Sequence, residues 1–284
     1  MRKLAVALFG LAACGGGNGT PDAAIVKIID ARPIDAPVVA DSPPPPDARQ
    51  YDFSCMGNPL PTTAADPITI SGTTEEITMS GLNPLAGVTV DTFKTGNATA
   101  LNTVMSATGG AFMTGNLATG GVPLDGYVRA IVPGPGPSAS LYRGTFIYPS
   151  APLAATLATA LPVILIKPAT FNSLQMFAGF TQDDTANGAL ILLVTDCANT
   201  PIDGATITAK QGSTDVSGSV FDLGALSSMA AGTFFVFNVP DGATDVGATY
   251  MGHTLRTHSV VAHKKDVTTL PNGSLTLTII KPGP

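Results

Sequence analysis

The chain is short of charge. Lys and Arg total 14 and Asp and Glu 20 among 284 residues, 12% in all and about half the usual share. The net charge is −6, and a nucleic-acid-binding face needs clustered basic residues that this composition does not supply. Trp is absent and Tyr occurs five times, which disfavours a sugar platform built on stacked aromatic rings. The longest apolar stretch, 151–166, is interrupted by Pro152 and Pro162 and closed by Lys167, so it is too short and too broken to span a bilayer. The abundant residues point elsewhere. A hydrophobic content of 44% and a mean hydropathy of +0.31 exclude wholesale disorder. With 31 Gly and 24 Pro, the apolar residues belong to many short strands separated by turns.

The first residues carry an address. Arg2 and Lys3 form a basic start and Leu4 to Leu11 an apolar segment of about eight residues, the pattern of an export signal. Leu11-Ala12-Ala13-Cys14 resembles the lipobox of bacterial lipoproteins. That resemblance implies cleavage after Ala13, a thioether-linked diacylglycerol on Cys14 and an acylated new amino terminus. More than one acyl chain anchors stably. Gly15, rather than Asp, follows the Cys and points to the outer membrane. Cleavage removes Arg2 and Lys3, leaving 12 basic against 20 acidic residues and a net charge of −8.

Residues 14–50 read as a lipidated Cys and a disordered tether. Gly15-Gly16-Gly17-Asn18-Gly19 is flexible, Pro33, Pro37 and Pro43–Pro46 stiffen the remainder, and Asp22, Asp30, Asp35, Asp41 and Asp47 keep it solvated. A linker of this length spans roughly 35 Å as a coil and ~110 Å as polyproline II.

The rest of the chain contains an internal echo. Pro84-Leu85-Ala86-Gly87-Val88-Thr89-Val90 matches Pro201-Ile202-Asp203-Gly204-Ala205-Thr206-Ile207. Gly110-Ala111-Phe112 matches Gly232-Thr233-Phe234, and Val122-Pro123 with Asp125-Gly126 matches Val239-Pro240 with Asp241-Gly242. The order is kept, and two copies are too few for a solenoid, so the chain reads as tandem domains. Ala205, Ile207 and Ala209 alternate with Thr206 and Thr208, and Leu275, Leu277 and Ile279 with Thr276 and Thr278. This period of two predicts β-sandwiches with apolar inner faces and Thr, Ser and Gly outside. The expected fold is all-β: two Greek-key β-sandwich modules in tandem, 51–150 and 188–284, with a connector at 151–187. In the connector, Phe171, Leu174, Met176, Phe177 and Phe180 recur at helical spacing, which predicts one short amphipathic helix with that stripe in the core.

These turns and strands resemble the carboxypeptidase regulatory-like domain, a transthyretin-like β-sandwich related to Cna-B repeats. Ser71-Gly72, Pro84–Val90, Thr108-Gly109-Gly110-Ala111-Phe112 and Gly126-Tyr127-Val128 carry the likeness in the first copy. In the second it rests on Val194-Thr195-Asp196, Pro201–Ile207, Gly232-Thr233-Phe234 and Val239-Pro240-Asp241-Gly242. Ser106-Ala107 stands where an acidic residue often precedes the Gly-x-Phe turn, and Gly212–Met229 is an insertion. The resemblance implies an accessory sandwich for display or for contact with proteins or glycans, with no catalytic residues to carry over. A Lys–Asn isopeptide, as in some Cna-B domains, needs a buried Lys, whereas Lys94 and Lys210 end strands and are expected to be exposed.

Few residues offer chemistry. His253, His258 and His263 are each followed three positions later by Arg256, Val261 or Asp266, so no His-x-x-Glu occurs. No metal site is expected from them, and they read as solvated. Asp183, Asp184 and Asn187 are an oxygen-rich cluster too sparse for Ca²⁺. With Cys14 given to lipid, Cys55 and Cys197 are an even pair in an oxidising compartment, which predicts a disulfide. No nucleophile elbow or phosphate loop is present. The functional expectation is a lipid-anchored, cofactor-free, non-enzymatic scaffold contacting envelope or extracellular proteins. The alternative is a glycan-binding surface module.

Overall fold

A computed structural model describes residues 50–284 apart from 79–80, 135–140, 158–160, 226–229, 267–269, 271 and 284. The predicted signal peptide, Cys14 and most of the tether lie outside the described residues. Residues 51–284 form one compact unit.

The strands of the first half are β1 (Ser71–Thr78), β2 (Gly81–Pro84), β3 (Thr89–Lys94), β4 (Asn102–Met105), β5 (Ala111–Met113), β6 (Gly126–Ile131), β7 (Gly144–Tyr148) and β8 (Leu161–Leu165). The helix α1 (Pro168–Ala178) comes next. The second half has β9 (Asn187–Val194), β10 (Thr206–Gln211), β11 (Thr214–Asp215), β12 (Val220–Asp222), β13 (Thr233–Pro240), β14 (Gly242–Tyr250), β15 (His253–Thr254), β16 (His258–Ala262) and β17 (Ser274–Ile280).

The internal echo is a structural repeat. In the first half Thr74 N–H donates to Gly110 O and Leu85 N–H donates to Thr74 O; in the second, Val194 N–H donates to Gly232 O and Ile202 N–H to Val194 O. Gly110 and Gly232 both have positive φ (77° and 71°). At each, an added Cβ would lie under 3 Å from the carbonyl oxygen of that same strand residue. Only glycine fits there. The Pro-x-x-Gly turns match too, with Gly87 at φ 75° and Gly204 at φ 67°.

Each half is therefore a sandwich. The first packs β1, β2, β5 and β8 against β3, β4, β6 and β7; the second packs β9, β12, β13 and β17 against β10, β11, β14, β15 and β16. In both, the last strand of the half runs parallel to the first, β8 to β1 and β17 to β9. The halves are joined because β17 also pairs in parallel with β7. This seam makes one eight-stranded sheet, in the order β12-β13-β9-β17-β7-β6-β3-β4.

Because the joined sheet lies between two outer sheets, its middle strands are buried on both faces. Ile147, Ala189, Ile191, Phe235, Phe237, Leu275 and Leu277 enter one core. Phe146, Tyr148, Leu190, Leu192, Phe234, Val236 and Ile280 enter the other. The expectation that Thr covers outer faces fails here: Thr276 and Thr278 are 1% and 0% exposed. Each satisfies its hydroxyl on a carbonyl, Val261 O at 2.7 Å and Tyr148 O at 3.2 Å. Buried hydroxyls are tolerated when bonded in this way.

The helix starts with Pro168 in its first turn and ends at Gly179 in the left-handed conformation, both favourable positions. Phe171 and Leu174 are buried, and Phe180, beyond the helix end, packs 5.7 Å from Phe237. The predicted stripe divides: Met176 and Phe177 are 78% and 56% exposed, Met176 because it faces the side opposite Leu174. Arg143, 2% exposed, fixes the connector. It pairs with both oxygens of Asp184, donates to Ser274 O, and lies 3.9 Å from the Phe171 ring centroid.

Thr92 is 1% exposed, its Oγ1 has no hydrogen-bond partner, and it lines an apolar cavity of about 20 Å³ with Ile70, Leu124 and Leu161. An orphaned buried hydroxyl is a net cost. Thr92→Val, which keeps the shape, is expected to stabilise the protein by about 1 kcal/mol, read as a raised midpoint in urea unfolding.

Candidate functional site

Two places gather side chains beyond what packing requires. The first is the corner formed by residues 51–57. Asp52 N–H donates to Asp196 Oδ2, Cys197 N–H donates to Asp52 O, and Gly57 N–H donates to Gly283 O. Cys55 and Cys197 are joined as a disulfide, with Cα atoms 5.8 Å apart, as the cysteine count predicts. Phe53 stacks on His253 at 4.2 Å, and Tyr51 meets Tyr250 edge-on at 5.1 Å. Lys281 Nζ donates to Asn199 Oδ1 in the same corner; burial lowers the affinity of this amine for its proton, and Asp196 partly offsets that. Residues 51–57 are thus bonded to the turn after β9 and to the chain's last residues.

The second place is the uncovered end of the eight-stranded sheet. The five-stranded sheet packs over β7 and the strands beyond it, and Tyr127 and Ile131 of β6 are the last side chains to reach that core. Beyond them β6, β3 and β4 present an open shelf. Strand register sets its rows: Arg129, Asp91 and Thr103 lie side by side, with Ile131, Thr89 and Met105 in the next row. Asp91 Oδ2 accepts from Arg129 Nε at 3.1 Å and Nη2 at 2.7 Å, while its Oδ1 accepts from Thr103 Oγ1 at 2.7 Å. The guanidinium also lies 5.0 Å from the Phe93 centroid. Phe93, Tyr127 and Tyr148 form a stacked aromatic row, at 5.0 and 5.1 Å. Burial raises the Tyr127 phenol above its ordinary value, and the Arg129 charge opposes that shift.

The shelf suits recognition better than catalysis. Both oxygens of Asp91 are engaged and the residue is 5% exposed. Arg129, with a side chain 29% exposed, is held by two charge-assisted hydrogen bonds to one oxygen, Asp91 Oδ2. Sequence reading does not single out these residues. Asp91 and Arg129 are 38 positions apart, and only the pairing of β3 with β6 makes them neighbours. The one available signal is a carboxylate between Val90 and Thr92 in a strand that also carries Phe93.

The other predicted positions are dispersed. Among the described residues no three His, Cys, Asp or Glu side chains converge as metal ligands. Asp184 is committed to Arg143, and Asp183 accepts from Thr185 within its own turn. Lys94 and Lys210 are exposed. The histidines do not all match their reading as solvated side chains. His253 is exposed, but His258 is 7% exposed, because it alternates inward with Val260 and Ala262 on β16. His263 stacks on Phe146 at 3.8 Å. Burial lowers both imidazoles to about 4, helped by Arg256 for His258; for His263, Asp241 opposes the shift and Arg129 adds to it.

No known protein family and no curated protein matches the chain. Solved structures resemble it at low sequence identity. The TIE protein of Bacillus anthracis is 13% identical over 76% of this chain, with a TM-score of 0.23. The shaft pilin SpaA of Lactobacillus rhamnosus GG is 10% identical, covering 77% of this chain and 98% of the pilin at a TM-score of 0.23. A minor pilin of Streptococcus agalactiae is 11% identical, covering 76% of this chain and 97% of its own, also at 0.23. The chain spans about a third of the length of the Bacillus protein, 34%. Scores this low carry no argument about function, and the fold stands on its own strand pairing.

The buried groups set two outcomes. Between pH 6.5 and about 4 the unfolded histidines bind protons that the folded ones exclude, so stability is held above pH 6.5 and lost on acidification. His258 and His263 are each expected to contribute about 2–3 kcal/mol to that loss. Thermal midpoints should fall between pH 6.5 and 5, with about half the slope removed in His258→Leu. Replacing both bridging cysteines, Cys55→Ser with Cys197→Ser, is expected to cost about 2–5 kcal/mol, measured by urea unfolding.

Proposed function

We propose that the chain is a lipid-anchored envelope protein. Cys14 holds it at the outer membrane, residues 15–50 are the stalk, and residues 51–284 are a non-catalytic scaffold that contacts envelope or extracellular proteins. The observation that carries this reading is the clamp at Tyr51–Gly57. A stalk that only trailed from the fold would need no disulfide and no paired backbone at its end. This one is bonded to Asp196, Cys197 and Gly283, an arrangement suited to holding a body under load.

The non-catalytic part rests on the state of the polar groups. Both oxygens of Asp91 accept hydrogen bonds, Asp184 is paired with Arg143, and His258 is buried on β16, so these polar groups are committed to internal contacts. The shelf is the surface on which a partner would rest. A glycan is the second reading, favoured by the half-buried ring of Tyr127 next to Arg129 on the same face of β6.

Expression in a bacterium that processes lipoproteins tests the anchor. Mass spectrometry of the mature amino terminus should find an acylated Cys14. Cys14→Ser should move the protein from the membrane to the soluble fraction with its thermal midpoint unchanged. A soluble wild-type protein with an unmodified Cys14 overturns the anchor. Crosslinking in intact cells should recover proteins through the shelf, and a glycan array with signal lost in Tyr127→Ala would favour the second reading.

A further inference from the structure

The free edge beside the shelf is built differently from the other described edges, of which β15 is only two residues long. Exposed strand edges are usually blunted by proline, charge or shortness, since unpaired N–H and C=O groups invite another strand. β8 carries Pro162 and β2 carries Pro84; β12 is three residues long and ends in Asp222. On β5, Ala111 O already accepts from Ala107 N–H, and on β16 Val261 N–H is bonded to the Tyr148 hydroxyl. β11 occupies in the second half the place that β4 holds in the first. It is cut to two residues, and its Asp215 lies opposite Lys210. β4, with the sequence Asn102-Thr103-Val104-Met105, has neither proline nor charge, and Met105 is 65% exposed.

Backbone alternation says which groups are free. Ser106 N–H donates to Val88 O, which sets the alternation and makes Val104 with Val90 a bonded pair of this antiparallel ladder; at its ends Gly87 N–H donates to Ser106 O and Leu101 N–H to Thr92 O. Thr103 and Met105 therefore direct their N–H and C=O groups away from the sheet. These two residues are self-complementary. If a second β4 lies antiparallel with Val104 opposite Val104, Thr103 of each copy faces Met105 of the other. Four backbone hydrogen bonds then use all four outward donors and acceptors. An antiparallel pair of identical strands is a two-fold arrangement, so it closes as a dimer. The same faces adjoin, and each exposed Met105 is covered beside the partner's Thr103.

We infer that β4 is a self-recognition edge through which two copies of this chain pair, joining their eight-stranded sheets. A three-residue contact falls well short of the ~800 Å² per partner of a stable complex, so the pairing is weak and concentration-dependent in solution. Confinement to a surface would raise the effective concentration. The pairing itself does not depend on the lipid anchor.

The register supplies the test. Opposed residues of a non-bonded antiparallel pair have Cα atoms ~4.5 Å apart, within the range a disulfide bridges. Val104 opposite Val104 is such a pair. In the full chain carrying Cys14→Ser, Val104→Cys is expected to give a covalent dimer under mild oxidation. Thr103→Cys and Met105→Cys, displaced from the two-fold axis, should give at least tenfold less. Adding Met105→Glu to Val104→Cys should reduce the dimer at least tenfold by placing a charge in the seam, with the thermal midpoint followed to confirm folding. Sedimentation of the Cys14→Ser chain should show reversible dimerisation as it approaches ~1 mM. Equal crosslinking at all three positions overturns the inference. So does a dimer that survives Met105→Glu, or a chain that stays monomeric at ~1 mM and forms no Val104→Cys crosslink.

Discussion

The parallel pairing of β17 with both β7 and β9 is the joint on which the fold depends. Ser274–Ile280 registers against Gly144–Tyr148 on one side and Ala189–Val194 on the other. Without it the chain would be two sandwiches joined by a connector. A strand in this position has no solvent face, which is why Leu275 and Leu277 enter one core while Thr276 and Thr278 must satisfy their hydroxyls inside the other. Parallel strands buried on both faces normally read as continuous apolar runs. Here alternating Thr stands in, because carbonyls of neighbouring segments lie within reach. Arg143 ties the same joint from the side through Ser274 O, Asp184 and the Phe171 ring.

Joining two sandwiches edge to edge leaves each with one half-sheet face that its own partner sheet does not cover. In the second half the connector covers it: α1 and the residues after it place Phe171, Leu174 and Phe180 over Phe235 and Phe237. In the first half, cover extends only as far as β6, and Asp91, Arg129, Thr103 and Met105 form the shelf beyond it. The shelf is thus a consequence of the joining. Its polar pair is what an uncovered sheet face needs in order to stay soluble and rigid, and it also gives the molecule a defined surface to present.

The repeat explains why much of the fold was legible in the sequence. Gly110 and Gly232 are required because a Cβ would strike Thr74 O or Val194 O, and the Pro-x-x-Gly turns recur because Gly87 and Gly204 need positive φ. Such requirements are local, so they leave matching residues at matching offsets. The helix was legible through its apolar spacing, but spacing could not say that Met176 and Phe177 would face outward. The histidines misled because β16 turns His258 toward a core, and nothing nearby in the sequence marks that face.

Residue order was enough to establish the tandem repeat, the all-β character with one helix, and the pairing of Cys55 with Cys197. Each of these rests on local backbone geometry or on a count. Three-dimensional packing was needed to decide that the two sandwiches share a sheet, that Asp91 meets Arg129, and that β4 is left as an open edge. Those outcomes depend on which strands become neighbours across long stretches of chain. Strand pairing is made by backbone groups that nearly every residue carries, so the partner of a strand is chosen by packing and leaves little trace in residue type.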